Sequence, residues 1–349
     1  MIDQVRERCD LLLSNSRAIN KKFFLEENLM GVAAGLIFAS EGKTADVDKM
    51  ASCRKILKKN TRPLSNLRAT VELVLLSKMA LSEDPQKYLS DVLDAYDKLQ
   101  KGKLLENNFM ALAAILIVDF GCQEESDAII EKAHEITKRM NKEHPILTDS
   151  EDTSFIMLLA LSDKRADAVL SDLEEGYTYL KKTHKVSASS DVIYELCEVL
   201  ALSFGDMQEK CDQAMRIYSA FAAKKAKLGS DHAFSSLGIL LDVDLDTESL
   251  VKEILEVEAY MEGWKGFGEK EIDQKKRIMY ASFIVSDVCG KSSAASSNPA
   301  ISNTLSIIRA KKISTMISIV GSVAPSVITA FLPDSEESSK EDGTKFGKH

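Results

Sequence analysis

Chain breakers are scarce. The sequence holds six prolines and sixteen glycines in 349 residues, where average usage would give roughly 17 and 24. Long uninterrupted elements follow, and helix is the first expectation. Basic excess is also missing. Forty-five Lys and Arg against 54 Asp and Glu leave a net charge of -9. A nucleic-acid binder needs a basic face to displace counterions from phosphates, so that class is excluded. Disulfide frameworks are shorter and denser in cysteine than this. Cys9, Cys53, Cys122, Cys197, Cys211 and Cys289 are scattered without a C-x-x-C pair and read as reduced core thiols of a cytoplasmic protein. The N-terminus is charged from Asp3 to Arg8 and has no apolar stretch before Leu11, which does not fit a signal peptide.

Catalytic and metal signatures are lacking too. There is no H-E-x-x-H, no G-x-S-x-G and no zinc-spaced cysteine pair. The histidines 134, 144, 184, 232 and 349 are dispersed. No catalytic residue, cofactor or metal is therefore assigned. Asp242-x-Asp244-x-Asp246 with Glu253 at the twelfth place imitates a calcium loop, but Thr247 stands where the turn glycine belongs. Asp246 as a helix N-cap, with Glu248 at the positive end of the helix, accounts for the same residues. Gly263-Trp-Lys-Gly266-Phe-Gly268 is glycine-rich without the Ser or Thr of a phosphate loop and reads as a turn between helices.

What is present is helical periodicity and repetition. Leu89, Val92, Leu93, Tyr96 and Leu99 follow the i, i+3, i+4, i+7 rule, as do Leu170, Leu173, Tyr177 and Leu180. Asp84 before Pro85 marks an N-cap and first helical position, and Thr148 to Glu151 fits a capping box. Asn28, Met30, Ala33, Ala34, Leu36 and Ile37 recur eighty positions later as Asn108, Met110, Ala113, Ala114, Leu116 and Ile117. The stretch 191–205 repeats the pattern and 276–290 does so more weakly; Ala80-Leu-Ser82 matches Ala160-Leu-Ser162. The expected fold is all-α: a HEAT- or TPR-like α-solenoid of antiparallel helix pairs, in units of about 80 residues. The pattern predicts helices over 2–15, 20–40, 45–58, 65–81, 85–101, 105–120, 125–141, 151–161, 166–182, 190–204, 207–226, 231–241, 247–262, 271–289 and 300–332.

These assignments divide the chain into one continuous helical-repeat domain over 1–290, a linker over 291–299, an apolar helix over 300–332 and a disordered acidic tail over 333–349. Ile313 to Leu332 carries no charge for twenty residues, with Arg309, Lys311 and Lys312 before it and Asp334, Glu336 and Glu337 after it. That is about one bilayer core in length, with the cationic flank on the cytoplasmic side. Six hydroxyl residues, Gly321 and Pro325 dilute it. Two readings stand: a membrane segment holding the protein to the inner membrane face, or a helix that caps the fold.

Surface-site candidates are His144, Asp149 and Asp152, grouped in one connection, and Trp264, the single tryptophan. A histidine near carboxylates suits acid–base work, yet the capping box uses the same residue types. Trp264 either plugs the core or, if exposed, marks a partner site.

Several ordered motifs carry a family resemblance: Glu27-Asn-Leu-Met30, Cys53-Arg-Lys55, Leu81-Ser-Glu-Asp-Pro85, His144-Pro-Ile-Leu-Thr148, Glu209-Lys-Cys211, and Gly266-Phe-Gly268 before Met279-Tyr280. In that order the chain resembles the uncharacterised bacterial family called domain of unknown function 4003, over roughly residues 1 to 290. The resemblance implies a bacterial, cytoplasmic, helical protein, and no activity. The expected function is a non-catalytic scaffold that binds a protein or peptide on a concave surface. The alternatives are an enzyme with a pocket inside an α/α ring, disfavoured by an aromatic content of only 6%, and a small-molecule sensor.

Overall fold

The computed structural model describes residues 1–101, 108–143, 152–203, 205–226, 228 and 233–290. The expected linker at 291–299, the apolar helix at 300–332 and the acidic tail at 333–349 lie outside them, as does the capping box at Thr148. The described part is all-helical, with no strand; its only β-type pairing is a lone bridge between Val243 and Gly290.

The helices fall into two kinds. α1 (Asp3–Lys22), α3 (Val47–Asn60), α5 (Pro85–Lys101), α7 (Ser126–Glu143), α9 (Ala166–Tyr179), α11 (Met207–Ala223) and α12 (Thr247–Glu262) each have a polar face. On α5 the buried residues are Leu89, Val92, Ala95, Tyr96 and Leu99, nearly the stripe that its periodicity predicts. Burying each large apolar side chain contributes about 1.5–3 kcal/mol before entropy is charged against it. The second kind is buried on every side: α2 (Asn28–Ser40), α4 (Glu72–Leu81), α6 (Asn108–Asp119), α8 (Asp152–Leu161), α10 (Ser190–Ala201) and α13 (Gln274–Cys289). Every residue from Met30 to Ser40, from Phe109 to Val118 and from Val192 to Ala201 is buried. Such a sequence cannot face water on any side.

Each amphipathic helix packs on the apolar element that follows it: α1 on α2, α3 on α4, α5 on α6, α7 on α8, α9 on α10, and α12 on α13. α11 packs on the 3-10 segment Phe234–Leu240. The apolar elements touch in turn, α2 with α4, α6 with α8, α8 with α10, α10 with Phe234–Leu240, and that segment with α13. Lys78 of α4 reaches Asp119 of α6 at 2.6 Å. α1 then packs against both α12 and α13, so the two ends of the described chain meet and the circuit of helices closes.

Polar bonds fix this closure. Ile2 N donates to Glu253 Oε1 at 2.6 Å, Tyr260 OH to Asp10 Oδ1 at 2.6 Å, and Asn28 Nδ2 to the Gly266 carbonyl at 3.2 Å. Arg8 Nε lies 3.3 Å from the buried carboxylate of Asp287. α1 and α2 meet closely because Gly35 has no side chain: a Cβ there would stand 2.8 Å from the Ser16 nitrogen.

The carbonyls at the C-terminal ends of the buried helices receive lysines from the outer helices and, at Lys164, from the α8–α9 connection. Lys49 Nζ donates to Ser82 O (3.1 Å), Lys132 Nζ to Ser162 O (2.8 Å) and Lys164 Nζ to Ser203 O (2.6 Å). Lys210 Nζ reaches both Leu200 O (2.7 Å) and Ser203 O (3.0 Å). A cation at a helix C-terminus meets the negative end of the dipole. Burial, and then the neighbouring Lys164, bring Lys210 down to about 8.

The structure changes four expected elements. The predicted helix 20–40 is interrupted at 23–27, because α1 runs on to Lys22 and Asn20 Nδ2 instead binds Asn28 Oδ1 at 2.5 Å. The 65–81 segment opens as the 3-10 turn Asn66–Arg68 before α4. The 166–182 helix ends in a π-helical turn, Leu180–His184. The 231–241 segment contains a 3-10 stretch rather than an α-helix; Ser235, Ser236 and Gly238 are weak α-formers, and Ser236 Oγ bonds back to Ala233 O at 2.6 Å. The caps agree: Asp84 Oδ1 accepts from Gln86 N (2.9 Å) and Lys87 N (3.0 Å), and Asp246 Oδ1 accepts from Glu248 N and Ser249 N, each at 3.0 Å. With Asp246 capping α12 and Glu253 turned to Ile2, the calcium-like spacing forms a helix start and a piece of the closure.

Arg277 is fully buried on α13. It meets Glu258 at 2.8 Å, Glu262 at 3.2 Å and Glu269 at 3.3 Å, and donates to the carbonyls of Phe267 (3.2 Å) and Ile272 (2.6 Å). It pins the 263–273 connection to the last helix pair. Arg277→Met leaves Glu258 buried without its counter-ion; the expected loss is about 3–5 kcal/mol, read as a lower urea midpoint with unchanged slope.

Candidate functional site

His144 and Asp149 lie outside the described residues, and of Asp152 the structure describes only its place as the first residue of α8. Trp264 is half-buried in the connection after α12. Its ring meets Tyr260 edge-on at 6.2 Å, and the Arg6 guanidinium lies 5.1 Å over the Tyr260 ring. Trp264 thus stands, half-buried, at the seam where α1 closes on α12.

A better-formed arrangement lies between α9 and α11. The π-helical turn Leu180–His184 ends at Lys185, whose φ of 50° is left-handed, a conformation that costs a non-glycine residue about 1–2 kcal/mol. π-turns and such strain concentrate at functional positions. This turn aims His184 at α11: Nε2 lies 2.7 Å from Asp212 Oδ1. Tyr179 OH donates to the same oxygen at 3.1 Å, and the Tyr179 and His184 rings meet edge-on at 5.4 Å. The His184 hydrogen bond, helped by that of Tyr179, holds Asp212 below the usual carboxylate range.

Beside this triad runs an open groove of about 530 Å³, lined by Ser171, Glu174, Thr178, Tyr179, Lys182 and Gln208 among others. Gln208 Nε2 ties α11 to α9 through Glu175 Oε1 at 2.8 Å. A second cavity, about 350 Å³, occupies the matching seam between α5 and α7, with Asp91, Asp94, Lys98 and Lys101 on its walls. Among the described residues no cluster of three or more His, Cys, Asp or Glu side chains is arranged to hold a metal ion. No described helix is long and apolar enough to cross a membrane; the Ile313–Leu332 segment lies outside the residues described.

Sequence reading missed His184 and Asp212. A signal existed in the spacing of outer-layer ion pairs. Lys22 meets Asp48 at 2.7 Å, Lys98 meets Asp127 at 3.3 Å, and Arg139 bonds Asp167. Each is a cation in the later part of one outer helix and an aspartate at the start of the next outer helix, 26 to 29 residues on. His184 and Asp212, 28 apart, make a rung at the same spacing, with Asp212 set one turn further into its helix.

Because Asp212 sits below its ordinary value of 3.8 in the folded chain, the rung stabilises above that pH. Its contribution is lost as pH falls through the depressed value. Asp212→Asn should speed amide exchange across 180–185 at pH 7 by less than about tenfold, as befits an exposed pair, and the gap to wild type should narrow as pH drops below 3.8.

No curated protein and no solved structure matches the chain. One family model does, over residues 15–318, past the limit near Gly290 to which the motifs carried the resemblance. The chain is a member of the family described as Protein of unknown function (DUF4003).

Proposed function

We propose that the chain is a non-catalytic interaction module built from helical-repeat units of about 80 residues, its helix pairs closed into a circuit rather than left as an open solenoid. The recurring lysine caps at Ser82, Ser162 and Ser203 and the recurring outer-layer rungs support the repeat. The inner helices are buried along their length, so the binding surface passes from the expected concave face to the seams of the outer layer. The groove between α9 and α11 carries this reading. It is open, offers an aromatic ring, hydroxyls and both signs of charge, and is edged by the His184–Asp212 rung. Those features suit an extended peptide or a protein loop. Thiols buried in the fold suit a reducing compartment such as the cytoplasm; burial pushes both Cys9 and Cys211 up to about 12.

One observation favours the enzyme alternative: α10 carries Glu195 and Glu198, both buried and one turn apart. Paired carboxylates inside a closed helical circuit suit acid–base chemistry.

A photo-reactive amino acid placed at Thr178 in the full chain, in a bacterial host, separates the two. A discrete adduct that disappears with Tyr179→Ala, and does not form from a control position at Gln100, is the expected result. Absence of any adduct, together with glycoside or ester turnover that Glu195→Gln or Glu198→Gln abolishes, would replace the interaction module with the enzyme.

A further inference from the structure

Three large apolar side chains stand almost fully in water: Phe24 at 77%, Leu25 at 85% and Leu64 at 97% exposure. Isolated exposed apolar residues are ordinary. These three lie on two neighbouring connections, 23–27 between α1 and α2 and 61–71 between α3 and α4. Arg54 ties the connections together. It bonds Glu26 at 2.6 Å and Glu72, the first residue of α4, at 2.7 Å, and its guanidinium lies 4.8 Å over the Phe23 ring. The corner is therefore braced, and its apolar tips project from a fixed base.

Cations flank it in sequence, in the last turn of α1 and through the second half of α3 to Arg62. Lys21, Lys55, Lys58, Lys59 and Arg62 are exposed, and none of them forms an ion pair with a described residue. The nearby carboxylates are engaged: Glu26 and Glu72 by Arg54, Asp48 by Lys22. On the two connections and the helix between them, Glu27 is the carboxylate outside these pairs. A chain of net charge -9 thus carries a local patch of the opposite sign around three projecting apolar side chains.

We infer that this corner docks the protein on an anionic bilayer surface, with Phe24, Leu25 and Leu64 entering the headgroup boundary and the five cations meeting lipid phosphates. The composition selects lipid over protein. Protein interfaces are depleted in lysine, whereas peripheral membrane sites combine lysines with inserted apolar side chains, each supplying part of the attraction. The acidic remainder of the molecule is repelled by the same surface, which orients the approach. This site is separate from the α9–α11 groove and does not depend on it.

Sedimentation of the full-length protein with vesicles tests the inference. Vesicles of phosphatidylcholine with 30% phosphatidylglycerol, on the order of a bacterial anionic content, are compared with phosphatidylcholine alone. Two variants, folded as judged by circular dichroism and thermal melting, accompany the wild type. One carries Phe24→Ser, Leu25→Ser and Leu64→Ser; the other carries Lys55→Gln, Lys58→Gln, Lys59→Gln and Arg62→Gln. The expected result is binding to the anionic vesicles, weakened by salt, with a partition coefficient lowered roughly tenfold or more in each variant. Three results would overturn it: no wild-type binding, equal binding to neutral vesicles, or anionic binding that both variants retain, which would assign attachment to another segment such as Ile313–Leu332. Self-association of the wild type that is lost in the apolar variant, without vesicle binding, would replace lipid by a second copy of the chain.

Discussion

A helix without a polar face has to be covered on every side, and α2, α6 and α8 are of that kind. This requirement organises the molecule. One partner covers one face, so each of these helices needs an amphipathic neighbour outside and further apolar neighbours to its sides. A linear stack meets the need in its interior but leaves an apolar flank at each end, which repeat proteins cover with polar-faced terminal units. Here the ends cover each other. α1 folds back on α12 and α13, and the polar atoms at that seam, from Asp10 and Tyr260 to Arg8 and Asp287, fix its register where apolar contact alone would allow sliding.

Closing the circuit creates an electrostatic problem that the outer layer answers. Buried helices end in carbonyls that have no partner within the helix. Lys49, Lys132 and Lys210 of the outer helices, and Lys164 of the α8–α9 connection, receive them. Between neighbouring outer helices, the rungs set the negative end of one dipole, with its cation, against the positive end of the next, with its aspartate. Exposed pairs of this sort contribute little singly. They recur between α1 and α3, α5 and α7, α7 and α9, and α9 and α11, where each ties one outer helix to the next.

The periodic elements were legible in the sequence because periodicity is a local property. The burial stripe of α5, the caps at Asp84 and Asp246, and the likeness of α2 to α6 follow from residues within one or two turns. The breaks were not legible, because their causes lie elsewhere in the fold. The interruption at 23–27 depends on Asn20 meeting Asn28 across a turn. The 3-10 stretch at 234–240 is pressed against α10, where a Cβ on Gly238 would meet Val199. Trp264 could be named but not placed, since its partner Tyr260 is set by closure against α1. His184 escaped notice because a histidine acquires a role only from what stands beside it, and Asp212 stands there through a π-turn that no pattern announces.

With the inner helices sealed, differences between one part of the surface and another rest on the seams and the connections. The seam between α5 and α7 and that between α9 and α11 share the rung geometry yet have different walls, aspartates and lysines in one, a tyrosine, hydroxyls and glutamates in the other. The shared device holds the helices at a set spacing. Exposed members of the lining, such as Glu174 and Lys182, are then free to vary, while Tyr179 and Gln208 help to hold the helices. A framework that separates holding from contacting in this way suits recognition, whereas an interior active site would need an opening through the apolar layer. The same separation appears at the α1–α3 corner. There the charges that hold the connections, Arg54 with Glu26 and Glu72, are distinct from Lys55, Lys58, Lys59 and Arg62, which are exposed.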